Sequence, residues 1–139
     1  MTFMDMETFD DMTVMAGTIW GEARNQSTDG MIAVGNVILN RVKANSWYGN
    51  GIKSVCLKKW QFSCWNEDDP NYKKILEIDW QDNQFCKALS LSYYLLKNKI
   101  DDNTKGATHY HTKSISPKWA ENKIPCVAIG DHLFYNDIE

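Results

Sequence analysis

Three stretches of this sequence carry residues whose types and spacing could do chemistry. Glu22 stands in Trp20-Gly21-Glu22-Ala23-Arg24, one acid among aromatic and small residues. The bland alternative is a solvated glutamate at a helix end, paired with Arg24, because exposed acids are common. The segment Trp60-Gln61-Phe62-Ser63-Cys64-Trp65 sets two Trp, a Phe and several small polar groups in a loop. Loops run over protein surfaces, so it either folds inward as a small core or forms one wall of a groove. In a groove, flat rings lie against the apolar faces of sugar rings. His109-Tyr110-His111, with Cys126 and His132 downstream, has the residue types of a zinc site, since alternate strand residues share one face. No helical His-Glu-x-x-His accompanies it, and hydrogen-bonding or core roles are the plainer reading. Serine catalysis finds no Gly-x-Ser-x-Gly elbow.

The elements that must position these residues can be read from caps and periodicity. Asp10 or Asp11 caps a helix to about Arg24, with Val14, Met15, Thr18, Ile19 and Ala23 inward. Glu22 then falls near its C-terminal end, which is electrically negative and suits a carboxyl that has to carry a proton. Ser27 or Thr28 caps a second helix from about Asp29 to Lys43. Apolar residues cover more than one of its faces, and Ala33 and Gly35 permit close helix contact. This reads as the central buried helix, and its Asn36, Asn40 and Arg41 must therefore be paired.

Residues 44–70 are loop-rich, with a short apolar segment at Ile52 to Leu57. A short helix is expected over Tyr72 to Ile78, and Asp82 caps a longer one to about Lys97. Ala107 to Thr112 and Val127 to Tyr135 read as strands, the second interrupted at Gly130-Asp131. Pro117 to Asn122 reads as a helical turn. Helices first and a small sheet last define an α+β domain.

With 139 residues, the chain suffices for one compact domain. Residues 1–10 read as a flexible leader and 11–139 as a single domain. A hydrophobic fraction of 43% with 24% charged residues is that of a globular protein with a core. The net charge of −3 excludes a strongly basic nucleic-acid footprint. Six Trp, six Tyr and five Phe are many for this length; core filling is their commonest use, and a sugar groove the sharper one. No basic start with a continuous apolar stretch marks a secretory signal. No run of about eighteen apolar residues is long enough to span a membrane. The four cysteines form no Cys-x-x-Cys pair. Cys86 reads as a buried helical thiol, and Cys56 and Cys64 are close enough in sequence to bridge in an oxidising space.

These pieces, in this order, resemble the cell-wall hydrolase family that includes the spore-cortex-lytic enzymes. The likeness starts at Ile19-Trp20-Gly21-Glu22-Ala23-Arg24 and runs through Ala33 to Val42 and Gln61-Phe62-Ser63-Cys64-Trp65. It closes with Thr108-His109-Tyr110-His111, Pro117-Lys118-Trp119-Ala120 and Ile129-Gly130-Asp131-His132-Leu133-Phe134-Tyr135. About residues 14 to 136 are covered. The resemblance implies a lysozyme-like α+β catalytic domain, helices followed by a small antiparallel sheet, that cuts the glycan strand of bacterial peptidoglycan with Glu22 as catalytic acid and no cofactor. The Gln-Phe-Ser-Cys-Trp version looks closest to phage and gene-transfer-particle members. Such a lysin, made in the cytoplasm, would need a holin, a phage particle or cell lysis to reach the wall.

Cutting between N-acetylmuramic acid and N-acetylglucosamine needs a proton on the leaving oxygen and support for an oxocarbenium-like transition state. An ordinary glutamate, with a pKa of about 4.3, is ionised at neutral pH and a poor acid. Partial desolvation is therefore expected from Trp20 and the Trp60 to Trp65 loop, with Arg24 and Arg41 pointing elsewhere. Hydrolysis needs a second carboxylate, for which Asp29, Glu67, Asp69 and Asp131 are available. A lytic transglycosylase needs none, because the glutamate that gives the proton takes another from the sugar's own 6-hydroxyl. That outcome is preferred over a muramidase. Trp65, Tyr110 and Trp119 are the expected stacking surfaces, and Gln61, Ser63 and His109 the expected hydrogen-bonding groups. The rivals are a zinc-dependent amidase built on the histidines and a non-catalytic wall-binding module.

Overall fold

The computed structural model describes residues 10–59 and 61–138; residues 1–9 of the expected leader, Trp60 and Glu139 lie outside the described residues. Helix α1 (Asp11–Ala23) begins where the Asp10 carboxylate accepts the Thr13 N–H at 2.8 Å, the capping interaction its sequence predicts. From Thr13 to Gly21 it is buried all round, and it packs on every other helix. Helix α2 (Thr28–Ala44) is capped by Ser27 and stopped by Asn45 in the left-handed conformation. The expected central role of α2 is therefore shared: α1 is the more completely enclosed of the two.

A short helix, α3 (Ile52–Leu57), occupies the apolar segment that sequence left unassigned. Asp69 caps α4 (Pro70–Leu76), whose first residue is a proline with no N–H to satisfy. Asp82 caps α5 (Asn83–Leu96). Its carboxylate Oδ1 also accepts the Trp20 indole N–H at 3.1 Å, which ties α5 to α1. Buried Phe85, Ala88, Ser92 and Leu95 form the inner stripe of α5. Cys86, expected to be buried, is instead exposed, because one step beyond Phe85 turns a helical side chain about 100° away from that stripe.

The three strands are β1 (His109–Thr112), β2 (Val127–Ile129) and β3 (His132–Tyr135), all antiparallel in the order β1-β3-β2. The Gly130-Asp131 interruption is the hairpin turn between β2 and β3. A 3-10 turn at Lys118–Ala120 matches the expected helical turn. Phe134 on β3 is fully buried and joins the sheet to the helical core. Among the described residues no helix is long and apolar enough to cross a membrane.

The polar stripe on α2 positions the sheet. Asn36 Nδ2 donates to Asn103 Oδ1 at 3.4 Å, Asn40 Nδ2 to the Ala107 carbonyl at 2.9 Å, and Arg41 Nε to the Thr108 carbonyl at 2.7 Å. These bonds answer the demand that buried polar groups be paired. They also hold residues 103–108, the segment that feeds β1, against the helix. Ala107 and Thr108, expected to begin the strand, are part of this tethered approach.

Candidate active site

Glu22 stands in the last turn of α1, beside the loop that follows α3. Gly21 makes that approach possible. A Cβ at residue 21 would lie 2.7 Å from Cys64 Cβ and 2.8 Å from Ile75 Cδ1, so a side chain there would push the loop away. With glycine in place, the loop reaches the carboxylate. The Cys64 backbone N–H donates to Glu22 Oε2 at 3.1 Å, and the Ser63 hydroxyl donates to the same oxygen at 3.3 Å. From β1, the Tyr110 hydroxyl donates to Oε1. Burial, together with the Glu22 charge, pushes the Tyr110 phenol well above its usual range, so it remains a donor throughout the neutral region.

Among the described residues, neither Trp20 nor Trp65 supplies the apolar cover expected over Glu22. Trp20 is 7% exposed and lies at the α1–α5 contact, with the Arg24 guanidinium 4.2 Å from its ring centre. Trp65 is 9% exposed, and its indole N–H donates to the buried Thr18 Oγ1 at 2.8 Å. As a stacking surface at Glu22, Trp65 does not fit; it braces the loop against α1. Among its described residues the loop brings hydrogen-bond donors to the acid. The hydrogen bonds of both arginines go elsewhere, although Arg24 lines the groove with Glu22 and the buried Arg41 lies within electrostatic reach of it. Arg24 Nη2 donates to Asn71 Oδ1 at 2.8 Å, and Arg41 spans the Thr108 carbonyl and Gln61 Oε1 at 2.7 and 3.3 Å.

Of the expected substrate residues, Ser63 and Tyr110 meet at Glu22, and Gln61 lies one step behind them, bonded to Arg41. His109 and Trp119 are elsewhere. Neighbours on a strand point to opposite faces, so His109 and His111 share the sheet face away from Tyr110. There the Trp119 ring packs edge-on against His109, His111 and Tyr135 at 5.0, 5.6 and 5.1 Å between centroids. His111 Nε2 meets the Tyr135 hydroxyl at 2.9 Å. His132 pairs with Thr112 and lies on the Tyr110 face, so the strand geometry splits the histidines. Among the described residues no group of three or more His, Cys, Asp or Glu converges as a metal site.

A groove of about 530 Å³ opens beside Glu22. One wall comes from the end of α1 and the following turn, with Glu22, Arg24 and Gln26; the other comes from the sheet, with Thr112, Asp131 and His132. Of the four carboxylates considered as partners for Glu22, only Asp131 lines this groove. Asp69 caps α4, Asp29 sits in the exposed first turn of α2, and Glu67 lines a separate hollow beside Trp65. The Cys64 amide and Gln26 escaped sequence reasoning, and His132 entered it only as a candidate zinc ligand. A backbone donor has no residue signature, and the other two acquire a role only where the chain brings residues 22–26 and 131–132 together. Cys56 and Cys64 are free thiols, both buried, with burial pushing Cys56 up to about 12 and Cys64 well above its usual value.

A helix-borne glutamate beside a polar groove, backed by a three-stranded antiparallel sheet, defines a lysozyme-like α+β fold with one candidate acid. Residues 25–135 match the family model described as Cell Wall Hydrolase, and the chain belongs to that family. Glu22 lies just before the matched stretch. Among solved structures, the catalytic domain of the Bacillus cereus SleB protein superposes with a TM-score of 0.66 at 24% identity, covering 89% of this chain and 88% of that one. The catalytic domain of the germination-specific lytic transglycosylase SleB from Bacillus anthracis gives a TM-score of 0.70 at 23% identity, covering 91% and 96%. No curated protein matches the chain.

Proposed function

We propose that the described domain, taken as a single catalytic unit over residues 11–139, cleaves the glycan strand of bacterial peptidoglycan as a lytic transglycosylase, with Glu22 as acid and then base. The observation that carries this reading is the set of three donors, from two different elements, that fix the Glu22 carboxyl at the edge of an open groove. In the first step Glu22 protonates the oxygen between N-acetylmuramic acid and N-acetylglucosamine. The C1–O bond breaks, and positive charge builds on the muramic ring. The resulting carboxylate then takes the proton of the muramic 6-hydroxyl, whose oxygen closes on C1 to give the 1,6-anhydro sugar. The proton balance returns Glu22 to its starting state. A general acid and base that is one group needs a fixed position through both transfers, and Tyr110, Ser63 and the Cys64 amide provide it.

Hydrolysis of the same bond is the second reading, favoured by the presence of Asp131 in the groove. Mass spectrometry of fragments released from purified peptidoglycan separates the two. Anhydro-muropeptides are the expected products, and reducing-end muropeptides would replace the transglycosylase by a muramidase. Delivery to the wall by a holin or a phage particle belongs to the same proposal, as does the assignment to a phage-type lysin.

A further inference from the structure

Asp131, exposed at the turn between β2 and β3, is tied through both its backbone and its side chain. Gln26, in the turn after α1, reaches across the groove to it. Its Oε1 accepts the Asp131 N–H at 3.1 Å, and its Nε2 donates to Asp131 Oδ2 at 3.1 Å. The Asp131 carbonyl accepts the Lys113 N–H at 2.8 Å from the end of β1. Gly130, at φ +56°, leaves room for this clasp: a Cβ there would lie 2.5 Å from Gln26 Oε1. Asp131 Oδ1 has no hydrogen bond among the described residues, and the residue lines the groove with Glu22. His132, 3% exposed, lies within the electrostatic reach of both carboxylates.

A carboxylate fixed on one oxygen and open on the other, in the groove where Glu22 works, has a clear electrostatic use. When a glycan fills the groove, water leaves it, and a negative charge beside the sugar acts more strongly than in solvent. The hairpin itself does not need that charge, because an asparagine would accept the same bond from Gln26 Nε2. We propose that Asp131 is a second catalytic residue, whose carboxylate stabilises the positive charge that builds on the muramic ring as the glycosidic bond breaks. This rests on the reading of Glu22 as the acid.

The test compares wild type, Asp131→Asn, Asp131→Glu and Glu22→Gln on purified peptidoglycan, with turnover and KM measured separately. Asp131→Asn keeps the clasp and removes the charge; it is expected to lower kcat about 100-fold, to shift KM by less than about threefold and to leave the products anhydro. Asp131→Glu keeps the charge and disturbs the clasp, and is expected to retain more turnover than Asp131→Asn. Near-wild-type kcat in Asp131→Asn, a change confined to KM, or the reverse order of the two variants would overturn the proposal. Each variant's thermal midpoint shows whether it is folded, and the order of the two keeps the test valid if one of them is destabilised. Full turnover in Glu22→Gln would remove the underlying reading whatever Asp131 does. Loss in Glu22→Gln beside normal turnover in Asp131→Asn would remove this inference alone.

Discussion

A group that gives a proton and takes another back within one turnover must present the same oxygens to two different partners. In the proposed mechanism Glu22 would meet that demand through donors of unequal kinds: a phenol from β1, a hydroxyl and a backbone amide from the loop after α3. The inequality makes a prediction. Tyr110→Phe deletes one donor at almost no change in volume and should lower kcat about 10- to 100-fold with little effect on KM. Ser63→Ala removes the longer hydroxyl bond, 3.3 Å on the exposed side of the carboxylate, and should cost less turnover than Tyr110→Phe. Steady-state kinetics on solubilised glycan strands checks both, and equal losses in the two variants would contradict the geometry. At this scale the sequence offered a candidate where one side chain would carry the chemistry, as at Glu22. It was not legible where the loop's contribution is a peptide N–H. Trp65 illustrates the converse error: its aromatic ring in a loop suggested a groove wall, yet its indole found a buried partner in Thr18 and the ring went inward.

The elements explain why those donors arrive in register. α2 tethers the approach to β1 through Asn36, Asn40 and Arg41, and Arg41 also reaches Gln61 at the start of the Glu22 loop. One buried guanidinium, between the rings of Tyr48 and Phe62, thus sets the strand and the loop against each other. His109, on the sheet face away from Glu22, registers this arrangement in its titration. Burial, and then the Arg41 charge, hold it down at about 4, against an ordinary value of 6.5. Between those two values the unfolded chain takes up a proton that the folded chain refuses. Stability should therefore fall as pH drops from about 6.5 toward 4, and this contribution should level off below that. His132, also lowered by burial, adds to the same slope. Thermal midpoints across this window should show a shallower decline in His109→Gln than in wild type; an unchanged decline would count against the assignment. The helices themselves were readable from Asp10, Ser27 and Asp82, each a cap followed by a periodic apolar run. Strand order was not: the β2–β3 hairpin is local, but the pairing of β3 with β1 joins distant segments, with residues 103–108 held against α2 on the way.

Across the whole molecule, the groove exists because two chain segments about a hundred residues apart close on each other. The end of α1 supplies Glu22 and Gln26, and the β2–β3 turn supplies Asp131 and His132. Neither segment announces a groove alone, which is why the sequence pointed to the acid and to an α+β, lysozyme-like fold but left the opposite wall among four possible carboxylates. Membership of the cell-wall hydrolase family sets the class of enzyme, and the proposed chemistry is assigned to this groove. The most direct measurement is the rate at which Glu22→Gln releases soluble muropeptides from purified peptidoglycan, with circular dichroism and the thermal midpoint showing that the variant is folded. The account predicts a loss of about 1000-fold in kcat, because an amide in the same cradle neither gives nor takes the proton. Release at close to the wild-type rate would contradict it and move the search for the reacting groups away from α1.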